Sequence, residues 1–242
     1  MNKAIINHLF EFWTQIGKQG GFLTKENGLL FTNPLNNSWP SKVFDIDHEK
    51  LDIDDLRRKI GFGAIPNSIA TYEDDTIKTI LESHQFRRSS KIKAMALDTF
   101  GVLFEDINET EFITVSTNDE AKTFADVASE SFGYPVKAST IIPLIDKPSF
   151  KIILGKHDKG IPTCGMVYID ENGVAGIHMI GTKGAYRGLG LGKKMTQFLI
   201  NQSIKAQSRK VFLVASEAGE RIYTKMGFTS HGFLESYSLP LE

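Results

Sequence analysis

The chain reads as an α/β protein, with a mixed sheet covered by helices. Short runs rich in β-branched and aromatic residues recur along it, and between them lie segments whose apolar residues fall at helical spacing. The composition is that of an ordinary globular chain: 242 residues, 41% apolar and 24% charged, with 21 Gly and 8 Pro. This excludes a disordered, collagenous or coiled-coil protein. The length allows one large domain or two smaller ones.

Ile5, Ile6, Leu9, Phe10, Trp13 and Ile16 form a helical stripe that ends at Gly17 and the Gly20-Gly21 pair. Its polar side is not basic, so a face packed on a core explains it better than a membrane anchor. Gly28–Phe31 and Ser41–Phe44 read as strands around the turn-rich Asn33-Pro34-Leu35-Asn36-Asn37. Residues 52–60 read as a helix with Asp52, Asp54 and Asp55 in its opening turn, where carboxylates suit the helix dipole. The acidic run Asp45, Asp47, His48, Glu49, Asp52, Asp54 and Asp55 lacks the glycine and closing Glu of a calcium loop, so a solvated helix start is expected and no metal. A helix over 73–83 and a strand over 90–97 follow. The polar stretch Glu105–Glu109 sets the expected boundary between domains at 1–108 and 109–242.

The second half alternates regularly. Phe112–Val115 is a strand, and Ser116-Thr117-Asn118-Asp119 offers caps for a helix over 119–132. Strands over 150–154, 164–169 and 174–182 follow, the last two joined by the turn Asp170-Glu171-Asn172-Gly173. A long amphipathic helix over 190–206 carries Leu191, Met195, Phe198, Leu199 and Ile200. A buried strand over 211–215, a short helix over 218–226 and a last strand over 228–239 complete the pattern.

Lys+Arg (28) and Asp+Glu (29) leave a net charge of −1. No global field favours nucleic acid or an anionic membrane as a partner. Cys164 is the only cysteine, which excludes an intrachain disulfide and a cysteine-based zinc cluster and suits a reducing compartment. It lies in an apolar run, where a small buried residue is a better reading than a reactive thiol. Asn7, His8 and Glu11 interrupt the N-terminal apolar stretch and no small-residue cleavage site follows, so no signal peptide is expected. With no apolar run of about 18 residues, a soluble cytoplasmic chain is expected.

The most informative stretch is Gly181-Thr182-Lys183-Gly184-Ala185-Tyr186-Arg187-Gly188-Leu189-Gly190-Leu191-Gly192-Lys193, between an expected strand and an expected helix. Glycines there permit tight turns, and successive N–H groups with a helix N-terminus form a nest for phosphate or pyrophosphate. A plain strand-to-helix turn needs fewer glycines. The P-loop register fails, because Arg187 stands where its first glycine belongs and Lys194 where Ser or Thr should be. The dinucleotide pattern G-x-G-x-x-G fails too, reaching Lys193 from Gly188 and Met195 from Gly190.

R-x-x-G-x-G does fit, as Arg187, Gly190 and Gly192, and resembles the pyrophosphate signature of the GNAT acetyltransferase superfamily. Downstream, Tyr223-Thr224-Lys225-Met226-Gly227-Phe228 is similar to the superfamily's Y-x-x-x-G-F. The resemblance covers about 110–242. Where many relatives carry Asn and Ala ahead of the tyrosine, this chain has Ser216 and Gly219; Ser216 still offers one hydroxyl. The segment Ile80–Phe86 and the strand after it echo Tyr223–Phe228 and the last strand, with Leu81 at the tyrosine position and Gln85 at the glycine. The resemblance therefore implies a GNAT-like fold in tandem with a degenerate N-terminal copy that lacks a cofactor loop.

The resemblance implies an N-acetyltransferase that joins acetyl-CoA and a primary amine in a ternary complex, by direct attack. Backbone groups around Ile180 and Thr182 would pair with the pantetheine. The amides of Gly188, Leu189, Gly190, Leu191, Gly192 and Lys193, next to Arg187, would hold the pyrophosphate, and Ser216 would bond a pantetheine amide. Tyr223 would protonate the leaving thiolate; its alternative is a packed aromatic with a bonded hydroxyl. Relatives often place a Glu on the strand before the loop. Here the only titratable group from Val174 to Thr182 is His178, either a base or a histidine packed in the sheet. Strand alternation puts it on one face with Ile180 and Thr182. A small-molecule or peptide amine is the expected acceptor, and the chain is expected to be a monomer or homodimer. A non-catalytic acyl-CoA sensor or a scaffold is the alternative.

Overall fold

The apolar stripe at the N-terminus forms helix α1 (Asn2–Gly20), which buries Ile5, Ile6, Leu9, Phe10, Phe12, Trp13 and Ile16 in a computed structural model that describes residues 1–158 and 160–240. Gly21 ends it in the left-handed conformation, φ +71°. Strands β1 (Leu23–Glu26) and β2 (Leu29–Thr32) form a hairpin on Asn27-Gly28, both at positive φ, the geometry that this dipeptide favours. Next come β3 (Lys42–Phe44), α2 (Ile53–Gly61), β4 (Ile69–Tyr72), α3 (Asp75–Ser83) and β5 (Arg87–Asp98). Asp52 caps α2 by accepting the Asp55 N–H at 2.9 Å, and Asp74 caps α3. Asp47 pairs with Lys50, and Asp55 with Arg58 and Lys59, so these members of the acidic run are engaged in capping and ion pairs.

Two short strands, β1 and β4, were not legible as strands. β1 alternates only weakly, and β4 is a four-residue apolar run with no turn dipeptide of its own.

The second half follows the expected order, with one short helix, α5, that was not expected: β6 (Phe112–Thr114), α4 (Asn118–Phe132), α5 (Ala138–Ile141), β7 (Phe150–His157), β8 (Gly160–Ile169), β9 (Ala175–Thr182), α6 (Leu191–Lys205), β10 (Lys210–Ala215), α7 (Glu217–Lys225) and β11 (Thr229–Ser238). A capping box opens α4. Thr117 Oγ1 accepts the Glu120 N–H at 3.2 Å, and Glu120 accepts the Thr117 N–H at 3.0 Å.

The chain divides into two compact units, and the division differs from a single cut after residue 108. Unit 1 comprises Met1–Met95, Val214–Lys225 and the chain from Thr229; unit 2 comprises Ala96–Leu213 and Met226–Phe228. In unit 1 the strand order is β1-β2-β3-β4-β11-β5. Phe31, Val43, Ile69 and Tyr237 on one face of that sheet join Leu56 and Ile60 of α2 and Ile77 and Leu81 of α3 in a core. Phe10 and Trp13 of α1 each place a ring 5.4 Å from Phe44, the neighbour of Val43 on the opposite face.

In unit 2 the order is β10-β9-β8-β7-β6. Two glycines show how closely its helices approach. A Cβ on Gly165 would stand 2.7 Å from Leu199 of α6, and one on Gly181 would stand 2.8 Å from Ser131 of α4. Gly181 pairs with Cys164, the neighbour of Gly165, so α6 and α4 cover opposite faces of the sheet.

Candidate functional site

β9 is paired fully on one edge and barely on the other. With β10 it runs parallel, and among the described residues the ladder holds only Val211↔Ala175 and Phe212↔Gly176, although β9 continues to Thr182. Backbone groups from His178 to Thr182 on that edge are left without a ladder partner in the sheet.

On the β8 side β9 bulges. Met166 pairs with His178 and Cys164 with Gly181, leaving Gly165 opposite both Met179 and Ile180. Met179 has φ +53°, a region that bulky side chains rarely adopt. The Cys164 thiol donates to the Met179 carbonyl at 3.4 Å and so helps to hold the bulge. Burial pushes that thiol up to about 12, so Cys164 is a packing residue with no nucleophilic character near neutrality.

The bulge overturns one expectation. Cross-strand partners share a face, as do residues i and i+2 of the regular β8, so His178 lies on the α4-covered face with Gly181. Thr182 pairs with Thr163 and lies on the α6-covered face. The additional residue reverses the alternation, so His178 and Thr182 do not share a face. His178 is 8% exposed.

The glycine loop turns at two positions of positive φ, Gly188 (+84°) and Gly190 (+77°). Nothing lies within 4 Å of a Cβ built on either, so the glycines serve the backbone conformation and leave open space above it. Arg187 extends its guanidinium back onto the protein. Nη2 donates to the Ser131 carbonyl at 2.8 Å and Nε to the Thr182 carbonyl at 3.4 Å. It thereby ties the loop to the end of β9 and places a cation at the C-terminal end of α4, where the helix dipole favours one. Lys183 pairs with Glu130 of the same helix at 3.0 Å.

Gly190 is the N-cap of α6 and supplies no side-chain cap, and the first intrahelical bond is Lys194 N–H to Gly190 O at 3.0 Å. The N–H groups of Leu191, Gly192 and Lys193 precede it and have no intrahelical acceptor. The first turn holds Lys193 and Lys194 and no acid, against the usual preference of the dipole. Lys194 pairs with Glu111 at 3.2 Å, and Lys193 adds a cation at the positive end of the helix, which suits a bound anion. Leu191 is buried in the core, so its contribution to a ligand is its backbone N–H; Leu189 is 56% exposed.

Beside this turn is a cavity of about 550 Å³ lined by Leu103, Phe104, Ile107, Leu189, Lys193 and Gln197, among others. In the sequence the segment around 105 is only a polar boundary. The structure clamps it, because Asn201 Nδ2 donates to the Phe104 carbonyl at 2.8 Å and Asn201 Oδ1 accepts the Phe104 N–H at 3.2 Å. A buried Asn on the apolar side of α6 was the available signal.

Ser216, Gly219 and Tyr223 belong to unit 1. The Ser216 carbonyl accepts the N–H groups of Gly219 and Glu220 at 3.0 Å each, and its Oγ accepts Gly219 N–H at 3.3 Å, so Ser216 starts α7 and keeps its hydroxyl proton for another acceptor. Tyr223 is half-buried, and burial pushes its hydroxyl up to about 12. Gly227 follows α7 at φ +95°, and Phe228 is buried. Thus His178, Ile180, Thr182 and Arg187 through Lys193 lie on one continuous β9–loop–α6 run of unit 2, and Ser216, just before α7, and Tyr223, within it, lie in unit 1. Among the described residues no group of three or more His, Cys, Asp or Glu could hold a metal, and no helix is long and apolar enough to cross a membrane.

The family described as "Acetyltransferase (GNAT) domain" matches residues 114–235. Comparison with curated proteins gives no match. Several solved structures share the fold. A GCN5-related N-acetyltransferase from Kribbella flavida superposes with a TM-score of 0.70 at 16% identity, covering 91% of this chain and 90% of that one. For a GCN5-related N-acetyltransferase from Sphaerobacter thermophilus the TM-score is 0.59 at 14% identity, with 89% and 78% covered. An acetyltransferase of the GNAT family from Colwellia psychrerythraea gives 0.53 at 12% identity, with 98% and 97% covered.

Proposed function

The chain belongs to the GNAT acetyltransferase family, and from that premise we propose that it transfers the acetyl group of acetyl-CoA to a primary amine of a small molecule or peptide. The observation that carries this reading is the uncapped, lysine-bearing N-terminus of α6, preceded by glycines at positive φ. The backbone N–H groups from Gly188 to Lys193 hold the pyrophosphate, and Arg187 keeps the loop in shape through Thr182 and Ser131. The unladdered edge of β9 near Ile180 and Thr182 pairs with the pantetheine amides as an added strand would. The Ser216 hydroxyl donates to a pantetheine carbonyl.

The substrate amine attacks the thioester carbon. A C–N bond forms, the C–S bond breaks, and an N–H of the Met179 bulge stabilises the oxyanion between these events. His178, on the strand before the loop, accepts the proton of the attacking amine. Tyr223, held up to about 12, stays protonated at neutral pH and donates a hydrogen bond to the departing thiolate. Complete proton transfer to a thiolate of pKa near 8.5 runs uphill from so weak an acid. Tyr223 therefore acts chiefly by stabilising charge, and solvent completes the protonation.

The N-terminal part serves as a degenerate second copy. Gln85 takes φ +70° after α3 and Phe86 is buried behind it, as Gly227 takes φ +95° after α7 with Phe228 buried behind it. The same helix, left-handed residue, phenylalanine and strand occur twice.

Calorimetric titration with acetyl-CoA tests the reading, with Gly190→Glu as its pair. Micromolar binding that the variant loses supports it, followed by acetyl transfer in a screen of primary amines. Absence of binding to the unmodified protein overturns it.

A further inference from the structure

Helix α4 ends at Gly133, which takes φ +75°, and Ser129 holds the turn that follows. Its carbonyl accepts the Gly133 N–H at 3.0 Å, and its Oγ accepts the Val136 N–H at 2.9 Å. Tyr134 lies inside that turn. Its ring stacks on Phe132, with centroids 5.5 Å apart and planes 13° from parallel. The residue is 40% exposed. Its hydroxyl is nonetheless held above the usual tyrosine range, first by burial and then by Cys164. The hydroxyl end therefore points into the protein, toward the bulged part of β8 and β9, and the exposed surface belongs to the ring.

The stack lies at the end of α4 that meets the reacting strand. A Cβ on Gly181 would stand 2.8 Å from Ser131, three residues before Tyr134, and His178 shares the α4-covered face with Gly181. Arg187 donates to the Ser131 carbonyl, so the glycine loop is fixed to the same helix end. From Gly133 to Ile145 the chain carries no acid and a single cation, Lys137. Glu130, just before the turn, is paired with Lys183 at 3.0 Å. An acceptor with a second ammonium group would meet no carboxylate along this segment, whereas a flat apolar body would meet a ring.

We propose that Tyr134, backed by Phe132, is the specificity-determining contact for the acceptor, and that the acceptor is an amine carried on an aromatic ring, of the 2-phenylethylamine class. The acceptor ring lies against the exposed part of Tyr134, with its amine directed toward the end of β9. Ring against ring removes apolar surface of both from water, and a turn already held by Ser129 loses little freedom on binding. The chemistry rests on the transferase reading above; the binding place does not.

The test has two arms. In the first, transfer from acetyl-CoA is measured for 2-phenylethylamine, n-propylamine and spermidine. The KM for 2-phenylethylamine is expected to be the lowest. Tyr134→Ala should narrow its advantage over n-propylamine about tenfold, the scale of one aromatic contact, with acetyl-CoA affinity retained, and Tyr134→Phe should restore it. In the second arm, saturation-transfer NMR follows binding of 2-phenylethylamine without an acyl donor, and Tyr134→Ala is expected to lose the signal. Melting temperatures check the fold of each variant; Tyr134→Leu, apolar but without the flat ring, gives the same changes should the alanine variant fail to fold. Preference for spermidine or n-propylamine, an advantage that the folded variant keeps, or no binding of 2-phenylethylamine to the unmodified protein overturns the proposal. Binding that depends on Tyr134 beside absence of transfer to any amine supports the site and overturns the transferase reading alone.

Discussion

The ring of Tyr223 lies across Gly219, one helical turn back on α7: a Cβ at Gly219 would stand 2.8 Å from Tyr223 Cε2 and 3.4 Å from its hydroxyl oxygen. The glycine is therefore part of how the tyrosine is placed. Gly219→Ala is expected to displace the ring while the helix gains up to about 1 kcal/mol in propensity. Turnover should fall with acetyl-CoA affinity and melting temperature kept. Unchanged turnover in a folded variant would show that the ring can sit elsewhere at no cost.

Tyr223→Phe removes the hydroxyl and leaves the ring. A drop in kcat on the order of 10²-fold, with acetyl-CoA binding retained, is expected for loss of a group that stabilises the leaving thiolate. Because the hydroxyl titrates only near 12, Tyr223 should impose no alkaline limb on the wild-type rate below about pH 10. A limb that Tyr223→Phe abolishes within that range would contradict the burial argument.

His178→Gln separates the two readings of the buried imidazole. As the base, it should give a pH–rate profile with an acidic limb, and the variant should lose that limb. An identical profile in both proteins would assign His178 to packing on the α4-covered face.

Cys164 lies on the same bulged region as Met179, fully buried, with its thiol pushed up to about 12. Disulfide reagents should leave it untouched in the folded protein at neutral pH and modify it at once in urea. Rapid native labelling would mean that β8 and β9 open far more readily than their burial allows.

Lys42 makes a stability prediction with a definite sign. Its folded-state value lies below the unfolded 10.5, so in that window the unfolded chain binds more protons, and stability rises with pH. Lys42→Met removes the buried cation. The variant should be more stable than the wild type in urea at neutral pH, with the gain shrinking as pH approaches 10.5. A gain that is constant with pH would place its origin in packing alone.

The glycine loop was legible because its requirement is local. Gly188 and Gly190 must take positive φ, and the residues that permit it stand next to one another in the chain. The cap of α4 was legible for the same reason, since Thr117 bonds a backbone N–H three residues on; Asp52, expected within the opening turn of α2, is instead its cap. Asn27-Gly28 carried a hairpin signal for β1 that the weak alternation of Leu23–Glu26 obscured. The Asn201 clamp on Phe104 joins residues 97 positions apart, and no spacing in the sequence foretells it.

By itself the sequence determined the order of the long elements of the second half, the glycine turn before α6 and the motif containing Tyr223. Each depends on hydrogen bonds and steric limits that act within a few residues. Only the tertiary structure decided the bulge at Met179, the face on which His178 lies, and the placing of α7 and β11 with the N-terminal strands in unit 1. These follow from cross-strand register and from which surfaces bury one another. A single additional residue in a ladder reverses every side chain beyond it, and it leaves no mark in the local pattern of apolar and polar residues.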